Sequence, residues 1–242
     1  MPKGWIELNQ HIKKILKKDL QRNISIIGFI ENYPLSKVYQ NGNSWLVLGK
    51  SDHLWAYISS ADRSELIDLL AQAKEQTKYF ASVEDWMKEI IENEYSLDWE
   101  LTTDRFIFPA TTKIEQPVRQ VNPLKKSAAH YIYQNSDYQQ FTSIAYINQR
   151  IATGLSAGII AEDKLIAWGL THDDNALGFL HVLPEYRGLG YAHDISRYLI
   201  QAKRKNNQPV FVNVEPTNLK SKSLSQKIGF VFDRKISWLK IR

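Results

Sequence analysis

The chain has no cysteine and only 2 methionines among its 242 residues. Disulfides, thiolate metal ligands and a cysteine nucleophile are therefore excluded. The absence fits a reducing compartment, and a cytoplasmic protein is expected. Also missing is any apolar run approaching the ~20 residues of a membrane span. The first residues, Met-Pro-Lys-Gly-Trp-Ile-Glu, lack the apolar core of a signal peptide. No membrane partner is expected. What the sequence does have is bulk: 7 Trp, 12 Tyr and 9 Phe supply a sizeable core, and no long stretch reads as disordered.

The net charge of +5 is unevenly spread. Residues 1–121 carry 15 Lys+Arg against 17 Asp+Glu, a net of −2, whereas residues 122–242 carry 16 against 9, a net of +7. A basic half fits an anionic partner, either nucleic acid or a polyphosphate cofactor, or simply lysines on wet helix faces. The lysines are scattered over helical segments, without a basic stripe interleaved with aromatics, so no nucleic acid is expected.

Residues 5–20 have the stripe of an amphipathic helix: Leu8, Ile12, Ile15, Leu16 and Leu20. Ser44–Leu48 and Leu54–Ser59 read as a hairpin. Gly49-Lys50-Ser51 resembles the end of a phosphate-binding loop, but Ser44 stands where that loop needs its first glycine, and no helix pattern follows. Asp62 with Glu65, and Ser82 with Asp85, are capping signals before two helical stripes. Trp99–Phe108 reads as a strand. Pro109, Pro117 and Pro123 lie in a polar stretch that reads as a linker, which gives two expected domains, 1–120 and 121–242. The second half reads as helix (136–149), three strands (155–161, 165–171, 176–183), helix (190–205), strand (210–214), helix (218–228) and strand (230–240). Short loops pair the first three strands antiparallel, and the crossover helix makes 176–183 and 210–214 parallel neighbours.

Between the strand 176–183 and the helix 190–205 lies Pro-Glu-Tyr-Arg-Gly-Leu-Gly, residues 184–190. The first N–H groups of a helix have no intrahelical acceptor, and the helix dipole places positive potential there. Gly188 and Gly190 remove the Cβ atoms that would hold a phosphate off the backbone. Arg187 adds a positive charge. A strand, Gly turn and helix in this order form a seat for a pyrophosphate.

The run Leu180–Ala192, L-H-V-L-P-E-Y-R-G-L-G-Y-A, resembles the acyl-CoA motif [Q/R]-x-x-G-x-[G/A] of the GNAT superfamily of N-acetyltransferases, with Arg187, Gly190 and Ala192 in its positions. A second match follows at N-L-K-S-K-S-L-S-Q-K-I-G-F, where Asn218, Ser221, Leu224, Lys227, Gly229 and Phe230 resemble the family's N-x-x-[A/S]-x-x-L-Y-x-K-x-G-F helix. The segment 156–229 is most similar to the glycine N-acyltransferase-like branch. The resemblance implies an α+β (mixed α/β) fold, in which a splayed, mostly antiparallel sheet is flanked by helices. A degenerate GNAT-like half precedes it.

Acetyl-CoA, or another acyl-CoA, is then the co-substrate, with no metal. Its arm is implied to lie in the splay against His181, Val182 and Leu183. Its pyrophosphate sits on Arg187, Gly188, Leu189, Gly190, Tyr191 and Ala192, and Asn218 and Ser221 face the arm. The acceptor is a small-molecule amine or amino acid, and the protein a monomer or homodimer.

Two usual helpers are missing. Ala176 stands where many members carry a Glu or His base, and Ser225 where a Tyr acid is common. The replacement candidates are Glu215, Ser225 and His181. Strict strand alternation puts His181 on the face opposite residues 176, 178, 180 and 182, where a packed histidine is the ordinary role. The turn His172, Asp173, Asp174 reads as solvated. A non-catalytic acyl-CoA-binding or regulatory protein of the same fold is the alternative.

Overall fold

The computed structural model describes residues 3–73, 75–137 and 139–242. In chain order the elements are α1 (Lys3–Leu16), α2 (Ile24–Asn32), β1 (Leu35–Asn41), β2 (Ser44–Lys50), β3 (Leu54–Ser59), α3 (Arg63–Ala73), β4 (Tyr79–Glu84), α4 (Asp85–Glu94) and β5 (Leu97–Phe108). Then come α5 (Ala129–Gln134), α6 (Ile144–Thr153), β6 (Ser156–Ala161), β7 (Lys164–Thr171), β8 (Leu177–Val182), α7 (Tyr191–Lys205), β9 (Val210–Val214), α8 (Leu219–Ile228) and β10 (Val231–Ile241). The chain divides into two compact units. One takes Met1–Arg105, Glu215–Thr217 and Asp233–Arg242. The other takes Phe106–Val214 and Asn218–Phe232. No helix among the described residues is long and apolar enough to cross a membrane.

The first unit orders its strands β1-β2-β3-β4-β10-β5. Only β3 and β4 are shown parallel, and α3 makes the crossover between them. Strand β2 is buried on both faces because side chains alternate. Leu46 and Leu48 join Leu66 and Leu69 of α3 and Ile90 and Ile91 of α4, whereas Trp45 and Val47 join Ile12 and Leu16 of α1 and Ile27 of α2. Leu20, expected on the stripe of the first helix, lies beyond its end and is exposed. Asp62 caps α3 as its signal predicts, its Oδ1 accepting from the N–H groups of Ser64 (2.8 Å) and Glu65 (3.0 Å). Glu65 turns away from the cap and accepts from the Ser44 hydroxyl at 2.6 Å. A buried ion pair, Arg105 Nη2 to Asp233 Oδ2 at 2.6 Å, joins β5 to β10, and the same Nη2 donates to the Gln21 carbonyl.

The second unit orders its strands β9-β8-β7-β6, antiparallel except for β8 against β9. Helix α7 packs on β7 where Gly169 leaves room. A Cβ there would stand 2.8 Å from Ile195 and 3.0 Å from Leu199, both buried. The helix expected over 136–149 forms later, as α6, because the hydroxyl of Ser143 caps it by accepting from the Tyr146 N–H at 3.1 Å.

The stretch read as a linker is tied along α7. Arg204 donates to the carbonyls of Pro109 (2.9 Å) and Thr112 (2.7 Å), and Gln201 donates to the carbonyl of Glu115 (2.9 Å). Arg197 pairs with the Glu115 carboxylate, and the Val118 N–H donates to Asp194 Oδ1 at 2.9 Å. Residues 109–119 thus form a strap running from the C-terminal to the N-terminal end of this helix.

Candidate functional site

The chain leaves β8 at Val182, makes a short helical turn at Pro184–Tyr186, and reaches α7 through two left-handed glycines, Gly188 (φ 79°) and Gly190 (φ 89°). An L side chain is strained in that conformation. The N–H groups of His193 and Asp194 donate back to the Gly190 carbonyl, and that of Arg187 donates to the Pro184 carbonyl at 3.3 Å. Those of Gly188, Leu189, Gly190, Tyr191 and Ala192 have no acceptor among the described residues. Five consecutive donors at the positive end of a 15-residue helix are therefore left without acceptors among the described residues. The guanidinium of Arg187 points elsewhere, its Nε donating to the Val182 carbonyl at 2.9 Å. The free backbone donors accordingly run from 188 to 192, one residue fewer than the motif implies.

Beside this turn the sheet opens. β8 and β9 meet where Leu177 stands opposite Val212, their one paired position among the described residues. β8 also bulges. Gly178 is opposite Leu170 and His181 opposite Trp168, so β8 spends one extra residue over that span, and Phe179 takes φ 52°. A bulky residue there is costly, and such outliers cluster at functional sites. The bulge resets the alternation. His181 shares a face with Gly178 through their β7 partners, not the opposite face that strict period-2 reading assigns. The ring stacks on Trp168 (centroids 4.6 Å, interplanar 17°), and its Nδ1 is 4.0 Å from a carboxylate oxygen of Asp137. Burial, partly offset by Asp137, holds its pKa below the ordinary 6.5. On β9, Asn213 carries a buried Oδ1 with no hydrogen-bond partner.

The remaining candidates have mixed positions. Asn218 caps α8, its Oδ1 accepting from the Ser221 N–H at 3.0 Å, which leaves its amide N–H groups for other partners. Leu183 is buried and its N–H donates to the Ile166 carbonyl. Ser225 is buried, and its carbonyl accepts from Gly229 and Phe230. Glu215 follows β9 directly, in the short segment that groups with the first unit. Ala176 is fully buried.

The turn expected to be solvated is not. Asp174 and Asn175 are buried, and the His172 ring lies where a Cβ on Gly178 would be, at 4.9 Å from the Phe179 ring. Burial, with Arg150 adding to it and Asp174 opposing, lowers the pKa of His172.

Sequence reasoning missed Arg119. Its Nη1 donates to Asp194 Oδ2 (2.7 Å), its Nη2 donates to the Leu189 carbonyl (2.6 Å), and its guanidinium carbon lies 4.3 Å from the Tyr191 ring centroid. A lone arginine in a proline-containing polar stretch has no local pattern that could have flagged it.

Comparison with known proteins follows the same lines. Residues 153–239 match the family model of "FR47-like protein". A Drosophila protein of known structure aligns over 98% of this chain and 90% of its own, with TM-score 0.74 and 16% identity. A GCN5-related N-acetyltransferase-like protein from Streptococcus suis aligns over 98% and 100%, with TM-score 0.59 and 15% identity. A tandem GNAT protein from the clavulanic acid biosynthesis pathway aligns over 90% and 87%, with TM-score 0.54 and 15% identity. No curated protein sequence matches the chain. With its mixed, mostly antiparallel sheet flanked by helices and an FR47-like segment over 153–239, the chain has the fold of the GNAT N-acetyltransferases.

Proposed function

We propose that the protein is an acyl-CoA-dependent N-acyltransferase, most simply an acetyltransferase, acting on a primary amine of a small molecule or amino acid. The observation that carries this reading is the set of five unpaired N–H groups at Gly188–Ala192 beside a strand pair joined only at Leu177–Val212. The residues present fit acyl-CoA. A pyrophosphate suits the turn, and an extended amide-rich arm suits the open edges of β8 and β9, adding to them as a peptide strand does. The orphaned Oδ1 of Asn213 is an acceptor awaiting such an amide N–H.

Acyl-CoA supplies an activated thioester when bound. The chain holds it by its phosphates and arm, so that an acceptor amine can reach the acyl carbon. A C–N bond then forms, the C–S bond breaks, and the thiolate leaves. Holding the two reactants together supplies much of the acceleration. Of the three proton-acceptor candidates, Ser225 has too high a pKa. His181 remains neutral at pH 7 and stands on the strand that lines the splay, so it takes the proton released by the amine. Within the fold we assign the segment 156–229 to the glycine N-acyltransferase-like branch. The degenerate GNAT-like half, expected over 1–120, we assign to the first compact unit, a two-half plan for which the tandem GNAT neighbour is a precedent.

Ala176 and Ser225 favour a second reading, a non-catalytic acyl-CoA sensor. Incubation with acetyl-CoA and a panel of amines, with free thiol as readout, separates the two. Amine-dependent thiol release supports the enzyme. Saturable acetyl-CoA binding with no release across the panel supports the sensor.

A further inference from the structure

We propose that Arg119, delivered by the strap 109–119, is a direct ligand of the pyrophosphate at the glycine turn. The proposal rests on the acyl-CoA reading above and adds a residue that lies outside the FR47-like segment.

The strap fixes where Arg119 can be. Its residues are tied to Arg204, Gln201, Arg197 and Asp194, in that order, along successive turns of α7. The path ends at the N-terminus of the helix. There Nη1 is held by the buried Asp194 carboxylate at 2.7 Å and Nη2 by the Leu189 carbonyl at 2.6 Å, and the guanidinium carbon lies over the Tyr191 ring, 4.3 Å from its centroid. A Cβ built on Gly190 would stand 3.4 Å from Nη1, its only neighbour within 4 Å. The cation therefore stands at the lip of the turn whose N–H groups are unpaired. These two hydrogen bonds leave further N–H donors of the guanidinium to spare.

Electrostatics gives the arrangement a purpose. Asp194 sits in the first turn of α7 and is buried. A lone carboxylate there stabilises the helix but repels an incoming phosphate. Arg119, with Arg197 4.0 Å from the other oxygen, offsets that charge and restores the turn as an anion seat. Because the guanidinium is already immobilised, little side-chain entropy is lost when the ligand arrives. Asp194 and Asp233 illustrate the contrast. Asp233 is paired with the fully buried Arg105 and with Arg234, whereas Asp194 is paired with Arg119, about a third exposed, and has Arg197 4.0 Å from its other oxygen.

Calorimetry on the full chain tests this, with CoA and 3′-dephospho-CoA as probes. Arg119→Ala is expected to weaken both about tenfold to a hundredfold, the loss of a charge-assisted contact, with Arg119→Lys falling between the two. Equal loss with both probes locates the contact at the pyrophosphate. An unchanged dissociation constant for CoA overturns the proposal. So does a loss confined to CoA, which would move the contact to the 3′-phosphate. The double variant Arg119→Ala/Asp194→Asn controls for an indirect effect. If it restores wild-type affinity, Arg119 only neutralises Asp194, and the direct contact is wrong. Wild-type protein that binds neither probe sinks the acyl-CoA reading itself, and this contact with it.

Discussion

Replacing Gly190 with valine is a sharp probe of the turn. Gly190 has φ 89° and ψ 0°, a conformation in which an L residue is strained by about 1–2 kcal/mol, and a β-branched one by more. The added Cβ would also meet Nη1 of Arg119 at 3.4 Å, so the larger valine side chain must push the arginine or the backbone aside. Gly188 provides the contrast. It too is left-handed, at φ 79°, but a Cβ there meets nothing within 4 Å. Gly188→Ala and Gly190→Val should therefore both lower stability, the valine by more, and Gly190→Val alone should crowd the Arg119 side of the turn. If two N–H contacts to phosphate are lost at about 1.5 kcal/mol or more each, the affinity for CoA falls by roughly a hundredfold or more. Calorimetry with CoA gives the affinity, and urea unfolding gives the stability of each variant. Gly188→Ala should retain more of its CoA affinity than Gly190→Val. Unchanged CoA affinity in a folded Gly190→Val protein would refute the placement of the pyrophosphate.

Other expectations follow from the same geometry. His181→Gln should slow amine-dependent thiol release by about 10²-fold or more, a far larger change than any in CoA affinity. Wild-type kcat/KM should rise with pH along an acid limb centred below 6.5, because burial holds the histidine below that value. An acid limb centred above 6.5 would argue against His181. Both His172 and His181 have folded pKa values below the ordinary 6.5, so the unfolded chain binds protons that the folded chain does not. Their contribution is intact above 6.5 and is lost as pH falls below it, so urea midpoints should drop between pH 7.5 and pH 5.5. In the first unit, Asp233→Asn strands the buried charge of Arg105 and should cost about 3–5 kcal/mol in urea unfolding, with little effect on a site built from the second unit.

How legible the molecule is in its sequence depends on how local the signal is. Strand β9 and helix α7 lie where their periodicity and turn residues put them, because a crossover helix and a short apolar run carry their own signals. The glycine turn is readable for the same reason, since its glycines and helix start are contiguous. The bulge at Phe179 is invisible in the same run. It is enforced by pairing with β7, and it changes the face on which His181 stands. The His172–Asn175 turn looks polar by composition. Yet the His172 ring occupies the space that Gly178, several residues later, leaves open, and Asp174 and Asn175 are buried. Most distant of all is Arg119, whose partners Leu189 and Asp194 lie 70 and 75 positions away. Prolines and polar residues read as a linker, and only the helix beside it makes that stretch a strap.

The most direct measurement of the central claim is an acetyl-CoA titration of the 15N-labelled protein, read at backbone amides. The account predicts saturable shifts largest at Gly188–Ala192 and along Gly178–Val182, the donors and the β9-facing edge of β8 left unpaired among the described residues. Saturable binding that leaves those amides unmoved, or no binding at all, would contradict it.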